Sequence, residues 1–86
     1  MKSEVQIRAF ILKALNQTGG LPLPDATLRD SIRLAFPHLS LSEGMLHGLI
    51  KELDSEGFIR GVEHRFTKLM VWDLTTKGQL QVQEIP

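Results

Sequence analysis

The chain of 86 residues has room for one domain spanning residues 1–86, but not for a second hydrophobic core. Its hydrophobic fraction of 42% and charged fraction of 23% are typical of a globular protein, and no apolar run approaches the roughly 18 residues of a membrane-spanning helix. Cysteine is absent, which excludes disulfides and thiolate metal sites. The first residues do not have the pattern of a secretory signal, so a cytoplasmic protein is expected.

The first predicted element is an amphipathic helix. Ser3–Gln6 has the spacing of a capping box, in which a serine and a glutamine satisfy free backbone donors at a helix start. Gly19 and Gly20 predict the helix end, because glycine adopts the left-handed conformation without a steric cost. Apolar residues at intervals of three and four predict one buried face: Ile7, Phe10, Ile11, Ala14 and Leu15.

A short extended segment leads into a second helix. The two prolines of Leu21–Pro24 exclude a helix there and fit a very short edge strand. Asp25 is expected to cap the following helix, which Pro37 ends. The predicted buried face of this helix consists of Leu28, Ile32, Ala35 and Phe36.

A third helix is predicted over Leu41–Glu56. Ser40–Glu43 has capping-box spacing before it, and Gly57 ends it. The few residues around Pro37–Leu39 join the second and third helices, as a helix-turn-helix requires. The buried stripe of the third helix is predicted to be Leu46, Leu49, Ile50 and Leu53.

The last third of the chain changes to a strand pattern. Phe58–Val62 and Leu69–Leu74 are rich in branched and aromatic residues and predict a β-hairpin with the polar tip Glu63–Lys68. Thr75–Gly78 is expected to close the second strand. Gln79–Pro86 has room for one or two helical turns, which are marginal without tertiary support.

Two segments resemble those of a known superfamily. Leu49–Ile59 is similar to the end of a recognition helix followed by a glycine and an apolar strand start. Leu74–Gly78 is similar to the leucine, threonine, any residue, lysine, glycine segment that closes the wing in MarR and PadR regulators. The chain thus resembles the winged helix-turn-helix superfamily of transcriptional regulators. That resemblance implies a mainly α fold with a small β-hairpin, in the order helix, strand, helix, helix, strand, strand.

The resemblance also implies a small prokaryotic or phage regulator that binds double-stranded DNA. The third helix is then expected in the major groove, with the hairpin, or wing, beside it. The side chains expected to contact DNA are Ser40, Ser42, Met45, His47 and Lys51 in and before the third helix, and Arg60, His64, Arg65 and Lys68 in the wing.

The distribution of charge favours the wing over the third helix as the main DNA contact. The net charge of the chain is zero, whereas dedicated nucleic-acid binders usually carry a basic excess. Within the third helix, Lys51 stands against several acidic side chains that repel phosphate, namely Glu43, Glu52, Asp54 and Glu56. The wing has the opposite balance. We therefore expect it to supply more of the affinity.

A protein-interaction module is the alternative function. Gly44 and Gly48 lie on one face of the third helix, where they either admit the backbone of DNA or protein or relieve crowding against another helix. Together with Met45, whose side chain adapts to varied partners, they could dock a protein helix. A homodimer through the first helix or this face is also left open.

No feature of the sequence predicts catalysis, a cofactor or a metal. His38, His47 and His64 are far apart and do not have metal-ligand spacing. The acidic residues near the helices fit dipole compensation or solvated surface better than an acid-base pair. Trp72 is expected to pack in or near the core. A binding module is therefore predicted rather than an enzyme.

Overall fold

Four helices and a three-stranded sheet make up the part of the chain that the computed structural model describes, residues 2–19 and 21–85. In chain order the elements are α1 (Lys2–Asn16), β1 (Leu23–Pro24), α2 (Asp25–Ala35), α3 (Glu43–Ser55), β2 (Ile59–Glu63), β3 (Met70–Leu74) and α4 (Thr76–Glu84). The α+β class and the predicted order as far as β3 are confirmed. The helical turns for which Gln79–Pro86 has room belong to α4, which begins earlier than expected, at Thr76. Gly20, predicted to help end the first helix, and Pro86 lie outside the described residues.

The sheet is antiparallel, with β3 between β1 and β2. Trp72 of β3 lies opposite Leu23 of β1 and Gly61 of β2. Its side chain is buried, as predicted, with 4% of the residue exposed. The ring packs against Gly61 so closely that a Cβ there would lie 2.7 Å from Trp72 Cζ3. β1 has two residues, since Pro24 lacks a backbone N–H and α2 begins at the next residue.

One hydrophobic cluster joins α1, α2, α3, β2 and β3. Its buried members are Ile7, Ile11, Leu12, Leu15, Leu28, Ile32, Leu46, Leu49, Ile50, Leu53, Ile59, Trp72 and Leu74. The predicted stripe of the third helix is confirmed at every position. In α2, however, Ala35 is exposed and Phe36 is half-buried, because the helix ends between them. Phe36 packs edge-on against Phe10, with 5.7 Å between ring centroids.

The starts of the first two helices differ from the prediction. Ser3 lies inside α1, so it is not the cap. Asp25 is the first residue of α2, and Pro24 occupies the cap position without a side-chain hydrogen bond. The Asp25 carboxylate has other partners: it accepts from Trp72 Nε1 at 2.9 Å and from Arg29 Nε at 2.8 Å. Asp25 therefore ties the sheet to α2 instead of capping the helix.

The start of the third helix is also later than predicted. Ser42, not Ser40, caps α3, and its hydroxyl oxygen accepts from the Met45 N–H at 3.1 Å. Leu41 packs half-buried against the core ahead of the helix, so α3 spans Glu43–Ser55 and not Leu41–Glu56. The predicted stop is confirmed, because Gly57 has a φ of +83°.

Thr75–Gly78 does more than close β3, because α4 begins within it. The Thr75 hydroxyl accepts from the Gly78 N–H at 3.0 Å and lies 2.6 Å from the carbonyl oxygen of Gly57. The Thr75 N–H donates to the Phe58 carbonyl at 3.1 Å. The segment therefore caps α4 and fastens it to the turn between α3 and β2.

Lys77 and Gly78 complete this attachment. Lys77 Nζ donates to the Glu56 carbonyl at 2.6 Å and lies 4.8 Å from the centroid of the Phe58 ring. Gly78 is buried against the chain, and a Cβ there would lie 2.2 Å from the Phe58 carbonyl oxygen. These tertiary contacts stabilise a helix of nine residues that would be marginal on its own.

We predict that Gly78→Ala lowers the free energy of unfolding by about 1–3 kcal/mol, because the added methyl group meets a backbone carbonyl that cannot move cheaply. Urea denaturation followed by Trp72 fluorescence measures the change. Gly48→Ala is the matched control: a Cβ at Gly48 meets nothing within 4 Å, so alanine should raise stability by about 0.5–1 kcal/mol. Equal effects of the two substitutions would contradict the close approach.

Candidate nucleic-acid interface

The predicted contact residues of α3 lie on its exposed surface. Met45 and His47 are exposed, and Lys51 forms an ion pair with Asp54 at 3.5 Å. Ser42 is exposed too, although its oxygen already accepts the capping hydrogen bond. Ser40 lies in the segment before α3 and not in the helix. The structure therefore leaves Met45 and His47 as the α3 side chains best placed for a partner.

The face of α3 that carries Gly44 and Gly48 is open among the described residues. A Cβ built at either position meets no atom within 4 Å outside the glycine's immediate surroundings. The interpretation that these glycines relieve crowding against another helix is therefore wrong for this part of the chain. What remains is an exposed helix face on which a partner's backbone can approach closely.

The acidic side chains of α3 are largely paired with arginines from α1 and α2. Glu43 accepts hydrogen bonds from Arg33 and, at 3.1 Å, from Arg29 Nη1. Glu52 pairs with Arg8 of α1 in the same way. The acidic excess that the sequence places on this helix is thus offset by its neighbours. The sequence contains one indication of this pairing, because the spacing of Arg29 and Arg33 places both on one face of α2.

A surface depression of about 680 Å³ lies between α2 and α3, and its lining includes Arg29, Arg33, Glu43, Gly44 and His47. Hydrogen bonding by Arg33, with the positive charges of Arg33 and Arg29, holds the pKa of the Glu43 carboxyl below its ordinary value. Glu43 is thus held as a carboxylate beside the two guanidinium groups. Any phosphate that approaches them competes with this carboxylate.

The hairpin formed by β2 and β3 carries cationic side chains that are not paired with acidic residues of the described chain. Arg60, Arg65 and Lys68 are exposed, and none of their side chains forms an ion pair or hydrogen bond with another described residue. Arg60 lies opposite Asp73 in the strand register, yet the two side chains do not pair. We call these three residues the hairpin cations. Their charge is available to a partner.

The hairpin tip, residues 64–69, is an ordered turn. The His64 N–H donates to the Leu69 carbonyl at 2.7 Å, and the Lys68 N–H donates to the His64 carbonyl at 2.9 Å. His64 Nδ1 accepts from the backbone N–H groups of Phe66 and Thr67, each at 3.3 Å. Because His64 Nδ1 is occupied in this way, only the Nε2 side of the ring is left for a partner.

Lys68 closes the turn in a strained conformation. Its φ of +63° makes it the one non-glycine residue of the described chain in the left-handed region. Glycine or asparagine ordinarily fills such a position, since a Cβ there is unfavourable. The lysine side chain gains no partner within the described residues in return. Strain of this sort often marks a functional position.

The most exposed apolar side chain of the tip was missed by the sequence analysis. Phe66 is 84% exposed, and Leu69, Met70 and Val62 are exposed nearby in the hairpin. In sequence Phe66 is one aromatic within a polar turn, and no periodicity assigns it to either face. The signal available in the sequence was a large apolar side chain in a turn where no hydrophobic core is expected to cover it.

Comparison of the chain with protein-family models, with curated proteins and with solved structures finds no match. Among the described residues, no helix is long and apolar enough to cross a membrane. No group of three or more histidine, aspartate or glutamate side chains in residues 2–19 and 21–85 is arranged to hold a metal ion.

Glu43 gives the structure a testable pH dependence. A carboxyl whose pKa is lowered by folding stabilises the protein above its unfolded pKa, and that contribution is lost as pH falls through the lowered value. We expect Glu43→Gln to reduce the loss of stability below about pH 4.5. Urea titrations over an acidic pH series measure it. Glu63→Gln is the matched control, because it removes an exposed glutamate that forms no ion pair in the described chain.

Lys68→Gly should raise the free energy of unfolding by about 0.5–1 kcal/mol, since relief of the left-handed strain exceeds the entropy cost of glycine. Arg65→Gly is the matched control. Arg65 does not have a positive φ, so glycine relieves no strain there and its entropy cost lowers the free energy of unfolding. Thermal or urea unfolding of both variants separates the two cases. A loss of stability in Lys68→Gly equal to that in Arg65→Gly would show that Lys68 is not strained.

Proposed function

We propose that this chain is a winged helix-turn-helix domain that binds double-stranded DNA, with α3 in the major groove and the hairpin alongside. The observation that carries the proposal is the set of hairpin cations, Arg60, Arg65 and Lys68, which have no acidic partner among the described residues. The order of α2, α3 and the hairpin supports it, as does the resemblance at Leu49–Ile59 and Leu74–Gly78. A small cytoplasmic regulator fits this description.

The hairpin supplies most of the attraction to phosphate in this proposal. Arg65 and Lys68 sit at the end of a two-stranded ribbon, where they reach beyond the core and meet the DNA backbone or a narrow minor groove. Each cation that neutralises a phosphate releases condensed counterions, which favours binding at low salt. The strain at Lys68 is consistent with a lysine kept for a partner and not for the fold.

The third helix contributes shape and a few base contacts. Pairing of Glu43 and Glu52 with arginines lessens their repulsion of phosphate. Gly44 and Gly48 allow the helix backbone to lie deep in a groove, while Met45 offers an apolar surface of the kind that contacts a thymine methyl group. The helix thus fits the groove without adding much charge.

A protein partner is the second candidate. The open Gly44 and Gly48 face and the 41% exposure of Met45 favour it, because methionine and small residues allow a helix to dock closely. This candidate assigns no task to the hairpin cations. The two candidates therefore differ in their dependence on salt and on the charge of the hairpin.

The DNA proposal is tested by measuring fluorescence anisotropy of a labelled duplex of about 20 base pairs between about 50 and 200 mM salt. The double variant Arg65→Gln with Lys68→Gly removes both tip charges, and glycine preserves the left-handed turn. We expect its slope of log K against log salt to be shallower by about 2, one for each lost phosphate contact.

The charge-preserving variant Arg65→Lys with Lys68→Arg is the control and should retain the wild-type slope. If the wild-type protein does not bind the duplex even at low salt, the DNA proposal is wrong. Binding with the same slope in the neutral variant would move the contact away from the hairpin tip. A complex with a protein that survives loss of both tip charges would favour the second candidate.

A further inference from the structure

Phe66 is an exposed aromatic ring held in a defined place. The residue is 84% exposed, the highest value among the large apolar residues of the described chain. Its backbone N–H is held by His64 Nδ1, and the His64 and Phe66 ring centroids lie 6.3 Å apart. The ring therefore projects from an ordered turn, and no other described residue covers it.

The charges around Phe66 indicate what could cover it. Arg65 precedes it and Lys68 follows it by two residues, and both side chains are without partners in the described chain. The turn residues 64–69 contain no acidic side chain, and Glu63 lies before them at the end of β2. The complementary surface is a flat apolar face bordered by negative charge. A nucleobase with its flanking phosphates has that chemistry, whereas an apolar protein pocket has no need of cations on either side of the ring.

We propose that Phe66 is a wedge that stacks on a base displaced from the DNA helix, so that the preferred ligand is a duplex with an unpaired or weakly stacked step. This inference rests on the proposed DNA binding and specifies its substrate class. In a fully paired duplex the faces of internal bases are covered by their neighbours. Opening a step has an energetic cost, which is smallest where the bases are already unpaired.

The test compares two labelled duplexes of equal length and flanking sequence, one fully paired and one with a short central bubble. We expect the wild type to bind the bubble more tightly than the paired duplex. Phe66→Ala should lose about 5- to 150-fold in affinity for the bubble, the loss typical of removing one stacking aromatic. Its binding to the paired duplex and its salt slope should not change.

Phe66→Trp provides a spectroscopic readout of stacking. The substitution should retain the preference for the bubble, and its indole emission should be quenched when the bubble is added. Trp72 is buried, so the wild-type protein gives the background signal. Phe66→Leu keeps an apolar side chain without a π face and should behave like Phe66→Ala.

The outcomes separate this inference from the proposed function. Equal wild-type affinity for the two duplexes, or an equal loss on both in Phe66→Ala, overturns the wedge but leaves DNA binding in place. Absence of binding to either duplex at low salt overturns the proposed function itself. The neutral Arg65→Gln with Lys68→Gly variant should lose affinity for both ligands, which distinguishes a charge contact from stacking.

Discussion

The hydrogen bond from Trp72 Nε1 to Asp25 ties the sheet to the helices on which the candidate interface depends. Asp25 also accepts from Arg29, whose side chain is only 14% exposed, and Arg29 continues to Glu43 at the start of α3. A chain of polar contacts thus runs from the central strand through α2 to α3. Because Trp72 is buried in the core at the same time, these contacts fix the position of α3 relative to the hairpin.

The cationic side chains of the described chain that bear on the candidate interface fall into two groups. Arginines on α1 and α2 are paired with acidic residues of α3. The hairpin cations are left without such partners. Surface ion pairs are individually weak, so their main effect here is on where positive charge remains available and not on overall stability. A neutral chain can therefore still present a basic edge.

The sequence was sufficient to predict elements that bury a periodic apolar face. The stripe from Leu46 to Leu53 is an example, since burial dominates its conformation. In the hairpin the same holds for Ile59, Trp72 and Leu74, which are buried. Cap residues could not be assigned, because Ser40 and Ser42 offer the same chemistry and tertiary packing of Leu41 decides between them. α4 and the ion pairs of Glu43 depend on contacts between distant segments, which spacing along the chain does not contain.

The shortness of β1 has a mechanical consequence for the hairpin. Pro24 ends the pairing of β1 with β3 at Val71, so the ribbon beyond that point consists of two strands. Two strands alone are marginally stable, whereas the strands beside Trp72 are anchored in the core. Opening of the ribbon is thus cheaper than unfolding of the whole. A load applied at the tip therefore bends or frays this ribbon first, while the core stays intact.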